Sequence, residues 1–460
     1  MNKIVSFKKI IFITLLIISY SCKKDEDNPE EGPGIEIVTQ DPNSLVKAFI
    51  DTKKSTIVDE PKISATLLMI EKDSTLFDGP IGIEIRGSSA QMFEKKSYGF
   101  ETWDQEGKDI NVQLANFPKE EDWIFYGPYS DKSLLRNIII CELSNEIELY
   151  ASRTKLLELY INNQYKGVYV LMEKMKRDKN RINISKNKGD DLSGGYILKI
   201  DKSTGNGVSS SSYNSQNSFS SQYNSLGNKD LSKGAKTHFL YEYPKAEEIT
   251  EDQKIYIKNY ISQFEEVLHS ENFKDPIDGY IKWIDVNSFI DFFLLNEVSK
   301  NIDGYRLSTF MNKEKGGKLK MGPIWDFNLG FGNANYCKGE SSQGWAYQFN
   351  LHCPGDLWQV HFWWSRLMED SNWRKMVKNR WNSIRVKEFS KENILNKISK
   401  YHKLLSDNNA ADDNFNQWKI LGKYIWPNAF VGSSYPEEIN YLKNWTTKRI
   451  DWMDAQITNF

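Results

Sequence analysis

From residue 35 to about residue 173 the apolar positions fall in short, partly alternating runs. IEIVT, ISATLLMIEK, IGIEIRGSS, KKSYGFETWD, LLELYIN and GVYVLMEK are rich in β-branched and aromatic residues and are separated by Gly, Asn and Asp turns, so they predict strands. One helix interrupts them, at Asp131-Lys-Ser-Leu-Leu-Arg-Asn-Ile-Ile-Ile, with Asp131 or Ser133 as its cap. Two more strands follow, GGYILKID and THFLYEYP. From Glu248 onward the apolar spacing changes to three and four: EDQKIYIKNYISQFEEVLHS, VNSFIDFFLLNEVSKN, WQVHFWWSRLMED, WRKMVKNRWNSIR and KENILNKISKYHKLLS all predict helices. Pro436 sits in the first turn of a last one. The fold class is α+β, with a small β-rich lobe over 35–175 and a larger, mainly helical lobe over 176–460.

Two stretches break this order. Residues 203–234, STGNGVSSSSYNSQNSFSSQYNSLGNKDLSKG, are rich in Ser, Asn and Gly and poor in aliphatics, which predicts a mobile insertion with serines from Ser209 to Ser225 on a flexible tether. Residues 301–333, NIDGYRLSTFMNKEKGGKLKMGPIWDFNLGFGN, read as a β-hairpin turned at Gly316-Gly317. A hairpin returns the chain close to where it left, so Asp303 and Asp326, 23 positions apart, can come side by side. One carboxylate would then take or orient a proton while the other holds a divalent cation, the division of labour of kinase-type phosphoryl transfer. The plainer reading is that Asp303-Gly304 is a turn and Asp326 a carboxylate bonded to backbone amides.

The first residues read as an address. Lys3, Lys8 and Lys9 precede the apolar run IIFITLLII, and Ser19-Tyr20-Ser21-Cys22 closes it, the pattern of a bacterial lipoprotein signal over 1–22. Cys22 is the expected lipidated residue, and the acidic, Pro- and Gly-containing residues 23–34 are the expected disordered tether. Outer membrane or cell surface, exported and lipid-anchored, is the expected location, with the anchor as the one membrane contact. Loss of the three lysines moves the formal charge from −2 to −5, so no basic field invites nucleic acid. Export permits a disulfide, for which Cys337 and Cys353 are the natural pair.

Several residues of the β-rich part could face a nucleotide. Arg86-Gly87-Ser88-Ser89 follows a strand, and its small residues could let backbone amides approach a phosphate, although such a turn is more often merely a turn. Lys95 and Lys96 begin the strand KKSYGF, where Lys96 shares parity with Tyr98 and Phe100; snorkelling to solvent is the ordinary alternative. Arg136 lies on the helix after Asp131. Glu173, or Glu142, could partner a phosphate-holding lysine, with surface ion pairing as the competing explanation.

Taken in order, IEIRGSS, KKSYGF, DKSLLRN, YINNQYKGVYVLMEKM, GGYILKID, NIDGYR, GPIWDFNLGFGN, FWWSRLMED, RWNSIR and YLKNWTTKRIDW resemble the spore-coat-protein-H (CotH) family of atypical secreted protein kinases, from about Ile83 to the C-terminal helix. The resemblance implies a two-lobed kinase-like fold holding ATP with Mg²⁺ or Mn²⁺, and phosphate transfer to Ser or Thr of a protein, Ser-rich proteins among the candidates, by a monomer. By position, Asp303 matches the catalytic Asp, Asp326 the metal-binding Asp, and Lys96, or else Lys95, the nucleotide-contacting lysine. Two positions depart. Asn328 stands where relatives often have a second Asp, and Ser308 stands where a kinase has a metal-binding Asn; both offer neutral oxygens, which hold hard cations less tightly. Scarce extracellular ATP would require leaked nucleotide or another phosphate donor. The alternative from another class is a catalytically weak or inactive surface-binding lipoprotein, whose loops around Trp345 and Trp358 hold glycan or a partner protein.

Overall fold

The computed structural model describes residue 35 and residues 40–188, 191–203 and 213–460; the signal segment, Cys22, the tether and most of IEIVT lie outside them. β1 (Val46–Asp51), β2 (Ile63–Glu71), β3 (Ser74–Arg86), β4 (Ser97–Thr102) and β5 (Asp122–Tyr126) run antiparallel in chain order. After α1 (Arg136–Glu146) come β6 (Thr154–Ile161) and β7 (Gln164–Glu173). The order β1-β2-β3-β4-β5-β7-β6 closes into a barrel because β6 pairs parallel to β1, Leu157 opposite Val46.

The partial alternation in the sequence has a structural cause. β2 buries Ala65, Leu67 and Met69 and exposes Ser64 and Thr66, as a strand with one covered face should. β7 is covered on both faces: Tyr169 and Leu171 fill the barrel, while Val168, Val170 and Met172 pack into the larger core outside it. A strand buried on both sides reads as a continuous apolar run.

The second sheet is antiparallel, in the order β12-β11-β8-β10-β9, from β8 (Tyr196–Ile200), β9 (Ser218–Asn224), β10 (Lys236–Tyr243), β11 (Thr309–Lys313) and β12 (Leu319–Met321). Helices α2 (Glu251–His269), α3 (Val286–Ser299), α4 (Phe349–His352), α5 (Trp363–Glu369), α6 (Ser371–Arg385), α7 (Lys391–Asp407), α8 (Ala410–Gln417) and α9 (Tyr435–Ile457) complete the chain. One large core joins α1, the outer face of β7, this sheet and the helices. α3 is its axis, buried on every side from Ser288 to Ser299, as a helix apolar all round must be. Among the described residues no helix is long and apolar enough to cross a membrane.

The reading of residues 203–234 as a mobile insertion needs correction. Residues 218–224 form β9, paired with β10 at Phe219–Phe239. Phe219 and Tyr223 supply the buried apolar surface that the aliphatics do not. The Ser221 hydroxyl donates to the Glu265 carboxylate at 2.8 Å, and that of Ser225 is bonded to Gln359. Ser218 and Ser221 are thus buried in a sheet and Ser225 in the turn after it, not carried on a tether, while Ser209 to Ser212 lie outside the described residues.

If β9 is integral to the core, Phe219→Ala should lose about 3 kcal/mol in urea unfolding, the scale of a buried Phe truncation. An unchanged unfolding midpoint would mean that the segment is not docked.

Candidate functional site

α3 ends at Lys300, which adopts a left-handed backbone (φ 44°) and turns the chain toward Asp303. The Lys300 ammonium holds that exit by donating to the carbonyls of Lys338 and Ser341 at 2.8 and 3.0 Å. Gly304 packs directly on Asn296, where a Cβ would stand 2.2 Å from Oδ1, so only glycine lets the Asp303 turn lie this close to α3. Asp303 Oδ1 then accepts from Arg306 Nη2 at 2.6 Å and from the Tyr336 hydroxyl at 3.3 Å. Its Oδ2 accepts no hydrogen bond from the described residues. Arg306 is itself immobilised: Nε donates to the Ile302 carbonyl, Nη1 to Asp356 and the Trp358 carbonyl, and the guanidinium lies 4.1 Å from the Phe349 ring centre.

The hairpin predicted from the Gly-Gly turn is β11–β12, with Met311 opposite Met321. Its exit carries the chain to Asp326, a non-glycine residue at φ 62°. Such a backbone persists only where the surroundings over-determine it. Here α1 does so: Asn137 Oδ1 accepts from the Phe327 amide at 2.7 Å, and Arg136 Nε donates to the Gly330 carbonyl at 3.1 Å. The hairpin's other neighbour adds a third carboxylate. β11 pairs with β8 with Thr309 opposite Ile200, so the next residues along, Ser308 and Asp201, also meet, and the Ser308 amide donates to the Asp201 carboxylate.

Asp326, Asp303 and Asp201 therefore converge. Asp326 is solvent-exposed, yet it is set among enough surrounding protein to weaken its hydration. That partial loss of hydration pushes its pKa up to about 6, the charges of Asp303 and Asp201 add to the rise, and Arg86 and Lys202 oppose it. No described residue donates a hydrogen bond to it. The reading of Asp326 as a carboxylate bonded to backbone amides is thus not what the structure contains. A crowded, unpartnered carboxylate beside two others has the donor chemistry of a hard-cation site, and carboxylate, amide and hydroxyl oxygens of Asp326, Asn328 and Ser308 suit it. Asn328 is half-buried two residues on, with its carbonyl accepting from Asn333 Nδ2 at 2.8 Å.

The remaining expected residues divide. Arg86 is half-buried with its guanidinium 5.4 Å from the Trp325 ring centre, and its charge reaches Asp326. Lys96 lies beside the turn after β3, Nζ donating to the Gln91 carbonyl at 2.6 Å. Four others are engaged elsewhere. Lys95 is buried against the Val168 carbonyl, Asn414 Oδ1 and the Tyr169 ring, and burial holds its pKa well below the usual lysine range. Arg136 is buried under the Asp326 turn and paired with Asp131 at 2.5 Å. Glu173 is buried against Arg153 at 3.0 Å, and Glu142 bonds Lys397 and Tyr401, so neither carboxylate partners Lys95 or Lys96. Trp345 is core as well, packed on Trp452 and Phe460, whereas Trp358 stays half-buried with Nε1 on the Tyr213 hydroxyl.

Sequence reasoning missed Asp201, Lys202, Arg306 and Tyr336. GGYILKID shows a strand ending in an acid, but only the β8–β11 register makes that acid part of the site. The one described cluster whose carboxylates lie within 4.8 Å of one another is Glu120, Glu121 and Asp122. Lys174, Lys176 and Arg181 already neutralise it.

Cys337 and Cys353 form the expected disulfide, closing the loop whose ends carry Tyr336 and lead to Asp356. Replacing both by Ser should lower stability by about 3 kcal/mol for a loop of this length, read by denaturant unfolding with and without reductant. Equal midpoints would show that the bridge constrains nothing. For Asp326 the sign follows from a folded pKa above the unfolded 3.8: its favourable contribution holds at low pH and is lost as pH rises through about 6. Asp326→Asn should accordingly melt higher than the wild type at pH 7.5 without metal, and the gap should close at pH 4; a variant that melts lower at pH 7.5 would contradict the crowding.

No curated protein matches the chain. The profile of the family described as CotH kinase protein matches residues 83–453, a span that takes in Arg86, Asp201, Asp303 and Asp326. The chain therefore belongs to the CotH kinase family.

Proposed function

We propose that the chain is an exported atypical protein kinase, anchored at the outer membrane or cell surface through a lipid on Cys22, that transfers the γ-phosphoryl group of ATP to Ser or Thr of a protein. The barrel and the helical part serve as the two kinase-like lobes, with the nucleotide between them. The observation that carries the reading is Asp326, unpartnered and raised in pKa beside Asp303 and Asp201. Asp326, with Asn328, Ser308 and the added charge of Asp201, would hold Mg²⁺ or Mn²⁺, which supplies neutralisation of phosphate charge when bound. Asp201 offsets the carboxylate that Asn328 lacks. Arg86 and Lys202 are cations whose charge reaches Asp326, and Lys96 stands beside the Arg86-Gly87-Ser88-Ser89 turn.

Asp303 is fixed through Oδ1 by Arg306 and Tyr336, which leaves Oδ2 to orient an acceptor hydroxyl and accept its proton. The Tyr336 hydroxyl stays protonated, because burial and then the Asp303 charge push its pKa far above the usual value, so it remains a donor.

Thermal unfolding with ATP and Mn²⁺ tests the reading. At about a hundred times the dissociation constant the pair should add about 2.7 kcal/mol to the wild type and nothing to Asp326→Ala. Asp303→Ala should keep the shift and lose transfer of labelled phosphate to a serine-containing protein. A wild type with no shift would overturn the proposal.

A further inference from the structure

The catalytic carboxylate continues into an exposed aromatic ledge. Tyr336, whose hydroxyl donates to Asp303 Oδ1 at 3.3 Å, lies parallel to Trp426, ring centres 6.1 Å apart and planes 7° from parallel. Trp426 is 47% exposed and Tyr424 beside it 54%, values that set them apart from the core aromatics. The ledge is built rigidly. The Asn335 amide donates to the Pro427 carbonyl at 2.9 Å, Asn335 Nδ2 to the Tyr424 hydroxyl at 3.0 Å, and Ala334 bridges to Asn428. Cys337 ties the next residue to Cys353. Large aromatic rings left open to water on a segment this well anchored have no packing role on their outer face.

We infer that Trp426, with Tyr336 behind it, is the acceptor-specificity ledge of the enzyme, taking an aromatic or aliphatic side chain of an extended peptide about two residues from the phosphorylated Ser or Thr. The inference rests on the kinase reading of Asp303. The spacing follows from strand geometry: side chains two positions apart in an extended peptide share a face, so the residue two from the acceptor is the nearest that can turn to the ledge beside Asp303. A flat, apolar, rigid face selects for apolar contact without demanding one shape. The occupant is a peptide because the ledge is joined to the group that receives the acceptor hydroxyl.

The test is an array of serine peptides, each with one position from four before to four after the serine varied, incubated with labelled ATP and Mn²⁺ and wild type, Trp426→Ala, Trp426→Phe or Asp303→Ala. Wild type should favour Phe, Tyr, Leu or Ile two residues from the serine on one side. Trp426→Ala should lose that preference and drop about tenfold in kcat/KM on the best peptide, Trp426→Phe should restore most of it, and the thermal shift with Mn²⁺ and ATP should be the same in all three. Phosphorylation with no preference at that position, or with one that Trp426→Ala leaves intact, overturns the ledge and leaves the kinase reading standing. Transfer to an oligosaccharide probe and to no peptide would make the ledge a sugar platform and overturn the peptide assignment. A wild type that labels nothing more than Asp303→Ala does overturns the kinase reading, and the ledge falls with it.

Discussion

Three carboxylates of like charge stand near enough to raise one another's pKa, and much of the surrounding structure holds them there against their own repulsion. Left to themselves, Asp201, Asp303 and Asp326 would separate or take up protons. Two are quieted by donors: the amides of Lys202 and Ser308 serve Asp201, and Arg306 and Tyr336 serve Asp303. Asp326 has none, and its left-handed backbone points to the same tension. A fold keeps a non-glycine residue in this backbone conformation, beside like charges, only where the rest of the molecule over-determines it.

That over-determination comes from several directions. α1 lies beneath the Asp326 turn and donates or accepts through Arg136 and Asn137. The second support is a buried ion pair, Glu297 with Arg449 at 3.1 Å, neither exposed at all. Glu297 also accepts from the Tyr305 hydroxyl and from the amides of Ala346 and Tyr347, so α3, α9 and the loops beside Asp303 meet at one carboxylate. Burial raises the pKa of Glu297, and the Arg449 charge opposes it most strongly. Removing either partner would leave an uncompensated charge in the core. The disulfide, Lys300 and Arg306 form the third support.

What was legible in the sequence was local. The hairpin at Gly316-Gly317, the Cys337–Cys353 pairing and the apolar helices all follow from short-range chemistry, and motif order pointed to the family. Strands β1, β5 and β9 and helix α8 were not foreseen: VKAFID and DWIFY are short and mixed in polarity, SFSSQYN hides two aromatics among serines, and AADDNFNQ has few apolar positions. The site residues failed for a different reason. Lys95 looked as available as Lys96, yet it is buried against Asn414, over three hundred positions away in sequence. Asp201 enters only through the register of β8 on β11. Such contacts are set by tertiary packing, which spacing along the chain does not encode.

The most direct test of the central claim is an anomalous-scattering map at the manganese edge, from crystals of the mature protein grown with Mn²⁺ and ATP. A peak is expected beside the Asp326 carboxylate, at about 2–2.5 Å from an oxygen of that side chain, on the side facing Asp303 and Asp201. A map without a peak there, with manganese instead at Glu120, Glu121 and Asp122, would contradict it.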